Sequence, residues 1–333
     1  MAFKKLLRRL LDLPLRVKLI LSFLGVILFG GLVSLFIGTR LEHQTIFSLA
    51  QAKVKHDLAS AWTVYTERLN DIRDIVLLNA SRDAVQSALK TGDRDTLLRA
   101  LGRVRKDFNL DILTITDASG KVVLRTTRPE NYGDDQSGDS LVQRALARGV
   151  AAGTELITRP ELMKEGEAYA GRAYLRFIPT PMAAPRPEDH EENGMMLKGA
   201  APVIDESGRV LGVLYGGILL NQNYDIVDRV KDIVFKGEKY KDKEIGTVTI
   251  FQNDLRISTN VTDEKGQRAI GTRVSQEVNE AVLKRGVSWV GRALSSPTGT
   301  SQPTNPSAIS KAGSSACSMS ACSNGPILTS GTV

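Results

Sequence analysis

The sequence has few of the residues that usually build catalytic or metal sites. Of its 333 residues, three are histidine and two are cysteine. The histidines, His43, His56 and His190, lie far apart, and none is part of a metal-ligand motif. Both cysteines, Cys317 and Cys322, lie in the C-terminal tail, so no disulfide can hold the main body. We therefore expect no metal and no cofactor.

Common catalytic motifs are also missing. The sequence contains no phosphate-binding G-x-x-x-x-G-K-[ST], no dinucleotide-binding G-x-G-x-x-G, no zinc-binding H-E-x-x-H and no C-x-x-C. No serine or aspartate lies in a recognisable nucleophile motif. We predict that the protein is not an enzyme, and a membrane-anchored enzyme is the less favoured alternative.

Positive charge is concentrated at the N terminus. The net charge is +7, and residues 1–18 contribute +5, from six basic residues less one aspartate. No basic stripe with interleaved aromatic residues follows, which argues against a nucleic-acid partner. A basic cluster beside an apolar run instead indicates membrane topology.

One long uncharged run, Leu19–Thr39, follows this basic leader. Its 21 residues are enough for one helix across a bilayer. The run is longer than the apolar region of a cleaved signal peptide and no clear cleavage site follows, so we predict an uncleaved anchor. The basic flank should stay in the cytoplasm. The chain after Arg40 would then lie in the periplasm, on a single-pass anchor in the inner membrane of a bacterium.

A long helix is predicted after the anchor, from Leu41 to about Lys90. Its apolar stripe has spacings of four and three, through Leu58, Trp62, Tyr65, Leu69, Ile72 and Val76. The stripe packs on its own domain, or it pairs with a second subunit and forms a homodimer. Both alternatives are compatible along different parts of one helix. A shorter helix is expected over Asp95–Phe108.

Two hairpins are expected next. Leu110–Thr127 turns at "DASGK" and Met195–Leu220 turns at "DESGR", with aspartate and glycine where a tight reversal needs them. Between the hairpins we expect a helix over Ser140–Arg148 and a single strand over Ala168–Pro179. A connecting helix should follow in "NYDIVDRVKDIVF", residues 223–235.

The same plan then starts again. Gly246–Val261 predicts another hairpin, and a helix and the start of a strand follow it. "ALARGV" at 145–150 matches "VLKRGV" at 282–287, and "YAGRAYL" at 169–175 matches "WVGRALS" at 289–295. The sequence therefore predicts two modules of similar structure.

The second copy changes character after "GRA". "YLRFIP" follows these letters in the first copy, whereas "LSSPTGT" follows them in the second. Residues 295–333 contain one charged residue and sixteen serines or threonines, a composition that buries too little apolar surface to fold. We predict an incomplete second module without its closing hairpin, followed by a disordered tail.

The anchor, the long helix, "APVIDESGRVLGVLYGGI" at 201–218 and residues 246–293 together carry a family resemblance. The chain resembles the double Cache sensors of bacterial transmembrane receptors, and most closely the Cache 3/Cache 2 fusion type of sensor histidine kinases and chemoreceptors. The resemblance implies an α+β, PAS-like fold with a central antiparallel sheet and a small-ligand pocket between sheet and loops. It also implies two more strands, a second transmembrane helix and an output domain, which we do not find after residue 293.

The chain is therefore divided into consecutive segments. They are a basic leader at 1–18, a transmembrane helix at 19–39, a periplasmic helical region at 40–109, a first PAS-like Cache module at 110–222, a connecting helix at 223–245, an incomplete second Cache module at 246–293 and a disordered Ser/Thr/Pro-rich tail at 294–333.

The function expected is extracytoplasmic sensing of a small ligand and signal transduction through the membrane. The alternatives are an interaction protein that pairs with a full-length receptor, or a frameshifted remnant without function. Candidate ligand-binding residues in the first module are Arg125, Tyr169, Arg172, Tyr174, Lys198 and Tyr215. Arg172 and Tyr174 would share one face of a strand, and Arg172 and Lys198 would bind a carboxylate or similar anion. The alternative is that they are sheet-surface residues with their charges in water.

Overall fold

The computed structural model of the chain describes residues 14–237, 239–240, 243–244, 246–263, 265–286, 289–291, 315–320 and 327–332. The chain divides into two compact units between Lys53 and Val54. The second unit contains two five-stranded antiparallel sheets. We call the parts built on these sheets the first and second modules.

Helix α1, Leu15–Ala80, is the first element within the described residues. Its segment Leu15–Ile37 has a mean hydropathy of 2.6 and is long and apolar enough to cross a membrane. Within the described residues, no other helix meets that criterion. This segment contains nearly all of the run from which the anchor was predicted.

The apolar stripe of α1 is buried in the second unit. Leu58, Tyr65, Ile72 and Val76 are at most 2% exposed, and Trp62 and Leu69 are partly buried against the same core. The stripe therefore packs on its own domain, as one of the two alternatives predicted. Pairing of two chains along this helix stays a prediction.

The prediction of one helix as far as Lys90 is wrong, because α1 ends at Ala80 and a second helix follows. The amide of Asn79 donates to the carbonyl of Ile75, and the hydroxyl of Ser81 donates to the carbonyl of Leu77. Side-chain bonds of this kind compete with the main-chain ladder and help to end a helix.

The first module follows in an order close to the predicted one. Its elements are α2 (Asp83–Thr91), α3 (Arg94–Asp107), β1 (Ile112–Thr116), β2 (Val122–Arg125), α4 (Ser140–Leu146), β3 (Ala151–Ile157), α5 (Arg159–Glu165), α6 (Glu167–Ala173), β4 (Leu175–Arg176), β5 (His190–Glu191), β6 (Gly194–Ile204) and β7 (Val210–Leu219). Five of these strands form the sheet in the order β2-β1-β7-β6-β3. Both hairpins and the helices α3 and α4 confirm the sequence prediction.

Local turn chemistry explains why both hairpins could be predicted. The carboxylate of Asp117 accepts hydrogen bonds from the main-chain N–H of Ser119 and of Lys121. The carboxylate of Asp205 does the same for Ser207 and Arg209. An aspartate that satisfies the turn in this way makes the reversal independent of distant contacts.

The two faces of the sheet pack on different helices. Leu197 and Ala201 of β6 join the core built by α1, α2 and α3. Met196 and Ala200 join the core built by α4, α5 and α6. Because side chains alternate along a strand, one sheet separates the α1 face from the opposite face.

The predicted strand over Ala168–Pro179 is wrong. Half of that segment belongs to the helix α6 and two of its residues form the short strand β4, whereas the fifth strand of the sheet is β3, which lies earlier in the chain. Tyr169 and Arg172 are three residues apart on α6, and both bond to Asp111, which fits the i,i+3 spacing of one helix face. Alanine and glycine supply most of the remaining positions of α6, and the helix has no β-branched residue that would favour a strand.

The connection to the second module is the helix α7 (Asp225–Phe235), which confirms the predicted helix. The remaining elements are β8 (Lys239–Tyr240), β9 (Lys243–Glu244), β10 (Thr247–Gln252), β11 (Leu255–Thr259), α8 (Gln276–Val278), a π-helix (Asn279–Lys284), β12 (Trp289–Gly291), β13 (Ser315–Ser320) and β14 (Ile327–Thr332). The hairpin of β10 and β11 was also expected from the sequence.

The second sheet has the order β11-β10-β14-β13-β12, which repeats the order of the first. The strands β13 and β14 pair with each other, and β14 pairs with β10. They take the position of the closing hairpin that the sequence comparison did not find. The structure thus differs from the predicted disordered tail at these two strands, and residues 292–314, 321–326 and 333 lie outside the described residues.

The main chain explains this difference. A strand such as β10 offers a row of N–H and C=O groups at its open edge, and any extended segment can pair with it. Composition measures how much apolar surface side chains can bury, and it does not measure this main-chain pairing. The segment boundaries at 245, 293 and 294 stay predictions.

The repeat is also aligned differently from the sequence comparison. In both modules a strand follows shortly after the letters "RGV", as β3 after residue 150 and as β12 after residue 287. The second matched pair, "YAGRAYL" with "WVGRALS", aligns the helix α6 with the strand β12. That match is therefore not a structural equivalence.

Candidate functional site

A cavity of about 590 Å³ lies on the α4–α6 side of the first sheet. Met196 and Lys198 of β6 and Tyr215 of β7 line it from the sheet. The other lining residues come from β3, from α5 and from the loop that precedes α4. A volume of this size is typical of pockets for small molecules.

Within the described residues, Lys198 is the one cationic residue that lines this cavity. Its side chain is 3% exposed, and its Nζ atom is ion-paired with Asp139 and, at 3.2 Å, with Glu155 Oε2. Asp139 also caps α4 by accepting from the N–H groups of Leu141 and Val142. The ammonium group is thus held between two carboxylates that the fold fixes in place.

Arg125 lies behind the cavity in a second ion-pair network. Its guanidinium is 1% exposed and donates to both carboxylate oxygens of Asp134, at 2.6 and 2.9 Å, and to Glu165 Oε1 at 3.0 Å. Glu165 lines the cavity. The neighbouring Arg125 lowers the pKa of Asp134 far below its usual range, so this carboxylate is ionised near neutral pH.

Lys164 extends the same network. Its Nζ atom lies 3.1 Å from Asp134 Oδ2 and 2.5 Å from Glu161 Oε1. The bonds to these carboxylates favour the charged form and raise the pKa of Lys164, although partial burial acts in the opposite direction. Each of the three cations in this region therefore joins two carboxylates.

Negative charge is in excess around the cavity. Five carboxylates line it, and Asp134 lies directly behind them, against three cations. The lining carboxylates are Asp135, Asp139, Glu155, Glu161 and Glu165. In the described part of the chain, Asp135 has no basic side chain within ion-pair distance.

Tyr215 combines deep burial with an unused hydroxyl group. The residue is 3% exposed and lines the cavity. Its ring lies against Lys198, with Nζ 4.8 Å from the ring centre, and its hydroxyl makes no hydrogen bond with any described residue. Burial, and then the charge of Glu165, raises the pKa of Tyr215 well above its usual value, so the group remains an O–H that can bind a partner in the cavity.

Two models of known protein families match the chain. The family model described as "double sensory domain of two-component sensor kinase" matches residues 50–232, more than half of the chain, and a single Cache domain model matches residues 218–296. The chain belongs to the double Cache sensory domain family. The family confirms the resemblance found in the sequence, and both matches are sensory domains rather than catalytic ones.

Solved structures of sensor domains are among those similar to the chain. The periplasmic domain of Vibrio cholerae LuxQ is 13% identical, with a TM-score of 0.43, over 72% of this chain and 91% of that chain. The sensor domain of the V. cholerae histidine kinase DctB is 11% identical, with a TM-score of 0.40, over 87% and 98%. The ligand-binding domain of the Campylobacter jejuni chemoreceptor Tlp3, solved with 4-methylisoleucine, is 9% identical, with a TM-score of 0.40, over 87% and 90%. No curated protein matches the chain.

The first Cache module brings two of the six predicted site residues, Lys198 and Tyr215, into the cavity. Arg125 lies one contact behind it, through Glu165. Tyr174 is 37% exposed and its ring lies against the ring of His190, at 5.0 Å between centroids. Tyr174 therefore lies outside the cavity.

Tyr169 and Arg172 also lie outside the cavity of this Cache module. The Tyr169 hydroxyl donates to the main-chain oxygen of Asp111, and the guanidinium of Arg172 binds the carboxylate of Asp111 and the carbonyl of Leu219. These bonds attach α6 to the start of β1 and to the end of β7. The expectation that Arg172 and Tyr174 share a strand face is wrong, because Arg172 lies on a helix and Tyr174 ends it.

The sequence analysis missed the acidic residues of the site. Glu155 lies on β3, and Glu161 and Glu165 lie on α5, between the predicted helix over Ser140–Arg148 and the predicted strand over Ala168–Pro179. The signal that could have found β3 is the "RGV" match, which precedes a strand in both Cache modules. Assigning that strand would have placed Glu155 beside the predicted hairpin of Lys198.

Proposed function

We propose that this double Cache protein senses a small molecule outside the cytoplasmic membrane of a bacterium and passes the signal along α1. The observation that carries the proposal is the first-module cavity, which is lined by the deeply buried Tyr215 with a hydroxyl that bonds to no described residue. A residue of this kind is expected where a bound molecule completes the hydrogen bonding. The basic leader before the apolar part of α1 supports an N terminus in the cytoplasm and a sensory region outside.

A direct contact supports transmission from the cavity to α1. The hydroxyl groups of Tyr65 on α1 and Thr154 on β3 are hydrogen-bonded at 2.6 Å, and Thr154 lines the cavity. Tyr65 is buried, and burial raises the pKa of its hydroxyl, so the group stays an O–H in this bond. A molecule that displaces β3 would move a buried partner of α1.

Close packing at Gly199 adds a second route. A side-chain carbon added at Gly199 of β6 would lie 3.2 Å from main-chain atoms of Arg73 on α1. The sheet and α1 are thus in contact with no side chain between them at this point, and such packing transmits small displacements. Lys198, the neighbouring residue on β6, points to the cavity.

The proposal is tested by binding. We would purify the full chain in lipid nanodiscs, in a Trp289→Phe background, and follow thermal unfolding by circular dichroism against a library of small metabolites. A ligand should raise the melting temperature, since a molecule that binds only the folded state stabilises it. Leu156→Trp, at the exposed edge of the cavity, should abolish that rise, whereas Leu78→Trp, 68% exposed on α1, should preserve it.

Two results would contradict the proposal. One is that no compound changes the melting temperature of the chain. The other is that every active compound still binds the Leu156→Trp variant, which would place binding elsewhere. Transmission is tested separately with Tyr65→Phe, which should preserve binding but remove the ligand-induced change in Trp62 fluorescence.

A further inference from the structure

We propose that the molecule bound in the first-module cavity carries an organic cation, such as an ammonium or guanidinium group, which binds between the lining carboxylates and the ring of Tyr215. The inference rests on the proposed function and names the chemical class of the ligand. It has the opposite sign to the anion expected from the sequence. Three independent features of the cavity carry it.

The first feature is the charge balance. Six carboxylates lie in or directly behind the lining, of which Asp135 is exposed, whereas three cations accompany them, so the cavity has an excess of negative charge. In a partly buried site such an excess attracts a cation and repels an anion, because the low dielectric strengthens both effects.

The second feature is that the cations are already occupied. Lys198 joins Asp139 to Glu155, and Arg125 joins Asp134 to Glu165. Lys164 likewise joins two carboxylates, as described above. An anionic ligand would have to break one of these pairs and leave a carboxylate without its cation, which is strongly unfavourable in a buried site.

The third feature is a set of groups that lack hydrogen bonds. Glu155 Oε2 is buried and lies within ion-pair distance of Lys198, but it receives no aligned hydrogen bond. The hydroxyl of Tyr215, a residue that is 97% buried, also lacks a partner among the described residues. A ligand N–H group supplies the donor that both oxygens can accept.

Lys198 shows that a cation fits this environment. Its Nζ atom lies 4.8 Å from the centre of the Tyr215 ring while it pairs with Glu155. An ammonium over an aromatic face with carboxylates beside it is the usual environment in which proteins bind amines. The cavity therefore offers a ligand cation the same contacts that the protein gives to its own lysine.

The experiment compares probes of matched shape and opposite charge. Putrescine, succinate and 1,4-butanediol have four-carbon chains that end in cations, anions and neutral groups, and phenethylamine and 3-phenylpropionate make a second pair. Binding to the full chain in nanodiscs would be measured by thermal shift and titration calorimetry. We expect at least one of the two amines to bind and neither of the carboxylates to bind.

Charge-changing variants place the probe in the cavity. Glu155→Gln should weaken amine binding about tenfold, the loss expected for one charged hydrogen bond. Glu192→Gln, with a side chain that is 50% exposed and outside the lining, should leave it unchanged. Lys198→Met should strengthen amine binding, because it frees two carboxylates. If Lys198→Met does not fold, the effect of Glu155→Gln alone shows whether the amine binds in the cavity.

The outcomes separate this inference from the proposed function. Binding of carboxylates or the diol in the cavity, without binding of the amines, would overturn the inference and keep the sensor. Weaker amine binding by Lys198→Met, or unchanged binding by Glu155→Gln, would also overturn it. Failure of every probe and of every compound in the metabolite library would overturn the proposed function itself.

Discussion

Replacement of Arg125 by methionine should strongly destabilise the first module. The guanidinium is 1% exposed and donates four hydrogen bonds, two to Asp134, one to Glu165 and one to the main-chain oxygen of Asn131. Methionine fills a similar volume but donates none of them. Glu165, whose side chain is 7% exposed, would then be a buried carboxylate without a cation.

The expected loss follows from these contacts. Removal of one partner of a buried ion pair costs about 3–5 kcal/mol. We expect the lower end, because the hydroxyl groups of Thr114 and Thr127 still donate to Glu165 and Asp134, 25% exposed, can regain water. A loss of about 3 kcal/mol lowers the melting temperature of a domain of this size by about 6–12 °C.

Thermal unfolding of the full chain in nanodiscs, followed by Trp62 fluorescence, measures this loss. The matched control is Arg128→Met, whose side chain is 42% exposed and pairs with Glu130, and whose loss should stay below about 1 kcal/mol. The double variant Arg125→Met with Glu165→Gln should recover part of the stability, since no buried charge remains. Equal melting temperatures for Arg125→Met and Arg128→Met would refute the reasoning.

Two further predictions concern a strand and a turn. Gly212→Ala should prevent stable folding, because a side-chain carbon at that position of β7 would lie 1.9 Å from the carbonyl oxygen of Thr116. The control is Gly102→Ala on α3, where nothing lies within 4 Å, and this change should stabilise the protein by about 0.5–1 kcal/mol. Soluble yield and circular dichroism distinguish the two variants. Hydrogen bonds from Ser207 lower the pKa of Asp205 from 3.8 to about 2, so its contribution to stability is present above pH 4 and is lost as the pH falls through 2. Urea unfolding of Asp205→Ala should therefore differ from wild type at pH 6 and converge on it near pH 2, and a constant difference would contradict the shift.

The elements that could be predicted are those specified by nearby residues. Asp117 and Asp205 satisfy their turns with main-chain groups two and four residues away, so the two hairpins are visible in a short window of sequence. The stripe from Leu58 to Val76 has a period that only a helix can bury on one side. These features required no knowledge of the rest of the fold.

The strand β3 could not be assigned from its own residues. "AAGTELI" has two alanines and a glycine, which do not favour a strand, and its pairing partner is β6, about forty residues later. The helix α6 was mistaken for that strand because its letters matched the second copy. Pairing with β6 and packing of α6 on Asp111 decided both assignments.

The charge of the site was even harder to predict from the sequence. Lys198 and Arg172 were predicted to bind an anionic ligand from their residue type and strand position, because cationic side chains bind anions. Whether each cation is available depends on partners distant in the chain, Asp139 for Lys198 and Asp111 for Arg172. Those pairs exist only after β6, α4 and α6 have packed on the sheet.

The sequence by itself determined the membrane-type helix, the hairpins, the repeated module and the family, since each depends on local periodicity, turn chemistry or motif. Only the tertiary structure decided which strand completes the first sheet, where the second sheet finds its closing strands and which side chains line the cavity. The physical reason is that hydrogen bonds between strands and ion pairs join residues that are far apart along the chain. Tyr215 is an example, because its burial is set by neighbours from the whole module, and its unused hydroxyl has meaning only within the cavity that they enclose.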